Sequence, residues 1–185
     1  MRWNDYGEIE MRYRRADVDG GTYFFKVNLA ERKRTLLIDE IDKLKSSIAK
    51  VKKDHPFKID ACVVMPDHLH AVWTLPKGDN DFATRWMLIK AGFSRQIKKG
   101  ERINESRKSK GERGIWQRRY WEHLIKNEKD FERHVDYIHY NPVKHGFVNS
   151  VIDWPHSTFH RYVDKGIYPH DWAGMGIEES SGFGE

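Results

Sequence analysis

The sequence predicts an α+β fold built on an antiparallel sheet, and three observations carry that prediction. Strand-like apolar stretches recur at four places. Amphipathic helical periodicity fills the intervals after the first and the third of them. A turn signal, Pro66-Asp67, joins the second stretch directly to the third.

The elements follow in order. Residues 20–30, GGTYFFKVNLA, open with glycines and continue with aromatic and β-branched residues, which reads as a first strand. Residues 35–54 place Leu37, Ile41, Leu44, Ile48 and Val51 at alternating spacings of three and four, the stripe of an amphipathic helix. His55-Pro56 ends that helix, because the residue before proline is pushed out of the helical region. Residues 57–65 and 68–75 are a second and third strand in a hairpin. Residues 81–97 form a second helix with Phe82, Trp86, Ile89 and Phe93 on its buried side. Residues 98–114 contain almost no apolar side chain and read as a mobile basic loop.

Residues 120–126 are a fourth strand. Residues 127–141 are a third helix, with Asn127 as its N-cap, acids in its first turn and Pro142 as its stop. The aromatic stretch up to residue 174 packs across the body, and residues 175–185 form a flexible Gly-rich, acidic tail. The order β-α-β-β-α-β is the ferredoxin-like split βαβ arrangement, with helices on one face of the sheet plus an extra, tyrosine-bearing helix. Residues 1–174 then make a single domain with a basic N-terminal arm, and the second sheet face stands open.

Composition narrows the function. With 38% hydrophobic and 13% aromatic residues, the chain has the core formers of a folded protein. The net charge of +5 favours a polyanionic partner. Residues 81–126 hold 13 Lys/Arg against 5 Asp/Glu, whereas residues 163–185 hold one lysine against five acids. A basic groove is expected, and the acidic tail is a candidate to lie near it. Cys62 is the sole cysteine, so intramolecular disulfides and cysteine-based zinc sites are excluded. Without an apolar leader or a stretch of membrane-spanning length, the chain reads as cytoplasmic.

The segment MPDHLH carries the first chemical signal. Side chains alternate along a strand, so His68 and His70 present two imidazoles on one face, opposite Leu69, Ala71 and Trp73. Such a pair can hold a divalent ion but needs a third ligand. The third helix, HVDYIHYNPVKHG, offers one. Tyr137 and Asn141 are four apart and share a helix face, so Asn141 can give a carbonyl oxygen to the ion while Tyr137 aims its hydroxyl at a phosphate. Asp136, His139 and Tyr140 point elsewhere. Taken singly, Asn141 is as well explained as a C-cap before proline, and Tyr140 is a second candidate nucleophile. A phenol attacking a DNA phosphate keeps the bond energy in a phosphotyrosine, which permits rejoining without ATP.

MPDHLH, coupled to HVDYIHYNPVKHGFV, WPHSTF at 154–159 and YPHDWAG at 168–174, resembles the HUH nucleases, and among them the REP-associated tyrosine transposases. The resemblance spans about residues 20–174. It implies a metal-dependent single-strand DNA endonuclease and strand transferase. In that reading His68, His70 and Asn141 hold Mg²⁺ or Mn²⁺, and Tyr137 forms a 5′-phosphotyrosine while releasing a 3′-OH. The implied partner is a REP palindrome, a DNA hairpin with a single-stranded guide tetranucleotide at its foot, bound by a nucleoid-associated monomer with no membrane contact. Loop 98–114 is longer than the family pattern, so DNA contacts there do not carry over.

Candidate phosphate contacts are Lys90, Arg95 and Lys98 on or beside the second helix, with Arg118, Arg119 and Lys126 near the fourth strand. Arg12, Arg14 and Arg15, with Tyr13, form an arm suited to reading bases beside a hairpin. Two other functions compete: a non-catalytic DNA-hairpin-binding module, and a hydrolase of smaller phosphodiesters that uses water as its nucleophile.

Overall fold

The computed structural model describes residues 18–174; the Arg12, Arg14 and Arg15 arm and the 175–185 tail lie outside them. Four strands, β1 (Thr22–Asn28), β2 (Lys58–Val64), β3 (His68–Thr74) and β4 (Trp121–Leu124), form one antiparallel sheet in the order β2-β3-β1-β4. That order is the split βαβ arrangement the sequence predicts. Helices α1 (Leu36–Asp39), α2 (Ile41–Asp54) and α3 (Phe82–Gln96) follow β1 and β3. The helix expected over residues 35–54 is broken at Glu40, whose backbone leaves the helical region. Asp81 caps α3 by accepting a hydrogen bond from the Thr84 amide at 2.9 Å, which satisfies one of the free N–H groups of the first turn.

Alternation along the strands divides the core in two. Tyr23, Phe25, Val27, Leu69, Ala71 and Trp73 face α2 and α3 and meet Leu44, Phe82, Trp86 and Phe93. Trp73 and Trp86 stack at 4.1 Å between ring centroids. Phe24, Ala61, Val63 and Val72 point to the other face.

That second face is not open, contrary to the sequence expectation. Helix α5 (Glu128–Lys144) lies across it, with Val135, Tyr137 and Ile138 against Phe24, Val63 and Val72. Periodicity marks an apolar helix face but does not say which side of a sheet it covers. Helix α5 also runs past Pro142 to Lys144. Proline costs a helix the bond its own N–H would have made, and here it falls in the final turn, where the loss is small. The C-terminal segment then closes the outer side: the amide of Val64 donates to the His156 carbonyl at 2.9 Å, covering the β2 edge. Helix α6 (Phe159–Asp164) follows.

Residues 98–114 are ordered, which corrects the expectation of a mobile loop. Helix α4 (Glu105–Lys108) is capped by Asn104. The Arg107 guanidinium donates to the carbonyls of Arg113 and Trp116 at 2.8 and 2.9 Å. Arg113 donates to the Ser94 carbonyl at 2.8 Å and pairs with the Glu101 carboxylate. Polarity alone does not reveal that a loop's own arginines satisfy its carbonyls. Chain also passes close to chain here: a Cβ added at Gly114 would stand 2.4 Å from the Arg102 carbonyl oxygen.

Candidate active site

β3 is central in the sheet, and its alternation sends His68 and His70 toward α5. Opposite them on β1 stand Asn28 and Lys26. Both imidazoles are buried, with His70 fully so, and their rings lie 5.0 Å apart at 87°. Asp67, read from sequence only as a turn residue, has a second task. Its Oδ1 is 2.7 Å from His68 Nδ1, and its Oδ2 accepts from Arg32 Nε at 2.6 Å. Burial raises the Asp67 pKa, but the hydrogen bonds from His68 and Arg32 outweigh it and hold the carboxyl below its usual range. An ionised Asp67 accepts a hydrogen bond from Nδ1–H of His68 and leaves Nε2 with its lone pair, the arrangement usual for a metal-binding histidine. Burial lowers the pKa of His68 and, more strongly, of His70, where the His68 and Lys26 charges add to the effect. Both imidazoles are therefore neutral at pH 7, as ligation requires.

Helix α5 supplies the facing groups. The Tyr137 ring lies 5.3 Å from that of His70, and the His145 ring lies 5.5 Å from that of His68. Asn141 is one turn beyond Tyr137 and one turn before His145, and it is fully buried. Five atoms here are buried with no hydrogen-bond partner among the described residues: Nε2 of His68, both ring nitrogens of His70, and both amide atoms of Asn141. Leaving one such group unsatisfied costs about 1–3 kcal/mol, so this concentration of polar atoms suits a bound ion or polar group. Two imidazoles and an amide oxygen fit a divalent cation with positions left for phosphate oxygens.

The rival tyrosine lies elsewhere. Tyr140 packs on Gly174, where an added Cβ would come within 2.4 Å of its ring. His139 also turns away, meeting Thr158 Oγ1 at 3.1 Å and the rings of Phe159 and Tyr162. Two cations that sequence reading missed border the site. Lys26 is 5% exposed, and Lys144 Nζ lies 5.2 Å from the Tyr137 ring centroid. A lysine inside an apolar strand and a lysine past a proline give no local signal of either placement.

Comparison with known proteins shows the family. Residues 22–141 match the family described as "Transposase IS200 like". An Escherichia coli K12 REP-associated tyrosine transposase is 50% identical over 170 residues, covering 92% of this chain and 95% of its own. A Haemophilus influenzae relative is 45% identical over 163 residues, covering 88% and 93%. The chain belongs to the REP-associated tyrosine transposases. A solved structure of one such transposase bound to a REP hairpin matches this fold with a TM-score of 0.79 at 50% identity, over 91% of this chain and 94% of that one.

The predicted basic contacts of this transposase divide into two groups. Lys90 is committed internally: its Nζ donates to the Gln117 carbonyl at 2.8 Å, and burial lowers its pKa to about 8. Arg95, Lys98, Arg118, Arg119 and Lys126 are exposed, with Arg118 paired to Glu112 at 2.8 Å. Lys90, Arg95 and Arg118 line one cleft of about 630 Å³ together with Arg107, Trp116 and Tyr120. Gln117, on its rim, receives the Asn28 side-chain amide at 3.5 Å, and Asn28 is the register partner of His68. The cleft and the histidine pair thus lie at the same end of the sheet.

Proposed function

We propose that the protein is a metal-dependent single-strand DNA endonuclease and strand transferase acting on REP-type hairpins through a 5′-phosphotyrosine at Tyr137. The observation that carries this reading is the set of partnerless buried atoms on His68, His70 and Asn141, beside a tyrosine on the helix that faces them. The kinship with a transposase solved on a REP hairpin supports a REP hairpin as the substrate of this chain; the reading adds a guide tetranucleotide at the hairpin foot and a monomer as the working unit.

His68, His70 and Asn141 would hold Mg²⁺ or Mn²⁺, which when bound would supply charge neutralisation at the scissile phosphate. Tyr137 Oη gives up its proton and attacks phosphorus. The P–O3′ bond breaks, the 3′ oxygen takes up a proton, and the 5′ phosphate remains esterified to the phenol. A different 3′-OH attacking that ester reverses the step and frees Tyr137. A phenol of pKa about 10 is roughly 0.1% ionised at pH 7, so Tyr137 requires nearby positive charge. Lys144 above its ring and Lys26 beside His70 provide some. Asp67 keeps His68 in the ligating tautomer. The exposed basic residues around the cleft hold the hairpin backbone.

The test is cleavage of labelled single-stranded REP hairpins with Mn²⁺ or with EDTA, by wild type and by His68→Ala and His70→Ala variants. Cleavage that needs both Mn²⁺ and the pair is expected. Tight hairpin binding by wild type with no cleavage, across several hairpins and ions, would instead make the protein a non-catalytic hairpin binder.

A further inference from the structure

A second cluster of metal-ligating groups lies outside the proposed catalytic set. His123 stands on β4, opposite Phe24 and on the same sheet face as His70. Asp130 and His134 are four apart in the first turns of α5 and share the side turned toward β4. His123 Nε2 is 2.8 Å from Asp130 Oδ2, and His134 Nδ1 is 3.2 Å from Asp130 Oδ1. One ligand atom from each residue falls within 4.8 Å of the others. We propose that His123, Asp130 and His134 form a second metal site, of the Zn²⁺ class, that clamps the edge strand β4 to the start of the tyrosine-bearing helix.

Three features point this way. Two imidazoles and a carboxylate are the donor set of three-ligand zinc sites in which water takes the fourth position. Access suits that water: the side chain of His134 is 4% exposed, that of Asp130 15% and that of His123 26%, so the cluster is closed inside and open at its outer edge. Finally, the two clusters draw on different residues, and the Phe24 ring packs against both, 4.8 Å from His134 and 5.4 Å from His70.

The metal-free alternative is a hydrogen-bonded clamp. In it His123 Nε2–H donates to the carboxylate and His134 Nδ1–H to the Asp130 carbonyl at 2.7 Å. Asp130 also accepts from the Lys126 amide at 3.0 Å as part of the helix start. An ion would take the place of the hydrogens on those two nitrogens, each imidazole staying neutral with its proton on the other ring nitrogen, and the three side chains are already gathered within 4.8 Å. The same contacts that close the start of α5 thus preorganise the site.

The experiment uses tag-free full-length protein carrying His68→Ala and His70→Ala, stripped with EDTA and titrated with Zn²⁺ and with Co²⁺. One equivalent of Zn²⁺ is expected, with a Co²⁺ visible spectrum of tetrahedral type. At a 100-fold excess over Kd, Tm should rise by roughly 5–10 °C. Adding His123→Gln, which can still hydrogen-bond Asp130, should abolish uptake while circular dichroism remains that of the folded protein. No uptake and no Tm change in the double variant would overturn the proposal and leave a hydrogen-bonded clamp. Uptake undiminished by His123→Gln would overturn it as well. Because the catalytic pair is absent throughout, neither result bears on the nuclease reading.

Discussion

Asp67 engages Nδ1 of His68 and leaves Nε2 available, so in the proposed site it would set the affinity of His68 for a metal ion. Replacing it with asparagine keeps the shape but removes the charge held in place by Arg32. Asp67→Asn should weaken Mn²⁺ activation of cleavage by about 10–100-fold, the usual effect of losing a carboxylate behind a ligating histidine, with the hairpin dissociation constant nearly unchanged. A Mn²⁺ titration of the cleavage rate checks this; an unshifted midpoint would show that Asp67 serves only the turn. The histidine pair was legible in the sequence because strand alternation fixes which side chains share a face. Asp67 was not, because a proline–aspartate pair between two strands is already accounted for as a turn. Lys26 was hidden for the same kind of reason, as one polar residue in an apolar strand whose neighbours are non-local.

At the scale of elements, the segment of residues 98–114 makes the clearest pH prediction. Arg113 hydrogen-bonds the Glu101 carboxylate and holds its pKa down at about 2. A carboxylate whose folded pKa lies below its unfolded value stabilises the fold above about pH 4.3 and loses that contribution as pH falls toward 2. Glu101→Gln should therefore be less stable than wild type at pH 7, on the order of 2 kcal/mol, and the gap should close near pH 2. Urea unfolding at the two pH values measures it, and a gap independent of pH would mean the ion pair contributes nothing. Gly114→Ala should cost about 1–3 kcal/mol in the same assay, because the new Cβ meets backbone oxygen and not a side chain that can swing away. The strands and α3 follow from local pattern and capping residues. The order of this segment, and the placement of α5 on the second sheet face, depend on long-range contacts that no local period encodes.

For the whole molecule, charge and topology act together. The split βαβ sheet puts the histidine strand at its centre, α5 across it, and the basic cleft at the same end. Of the predicted phosphate contacts, Lys90 is tied to Gln117, whereas Arg95, Lys98, Arg118, Arg119 and Lys126 are exposed. Five phosphate contacts on single-stranded DNA give a slope of about −3.5 for log affinity against log salt. Arg119→Ala should make that slope shallower by about 0.7 without moving Tm, whereas Lys90→Met should lower Tm and leave the slope nearly unchanged. Fluorescence anisotropy across salt concentrations, paired with thermal unfolding, separates the two; a slope loss for Lys90→Met equal to that for Arg119→Ala would contradict this division.

In the proposed reaction one particular phenol becomes covalently attached to DNA. The most direct measurement is to trap the protein on a REP hairpin with Mn²⁺, denature and digest with trypsin, and sequence the adducted peptide by mass spectrometry. A nucleotide mass is expected on Tyr137 within HVDYIHYNPVK, residues 134–144, and none from Tyr137→Phe. A nucleotide on Tyr140, or cleaved DNA with no protein attached, would contradict it.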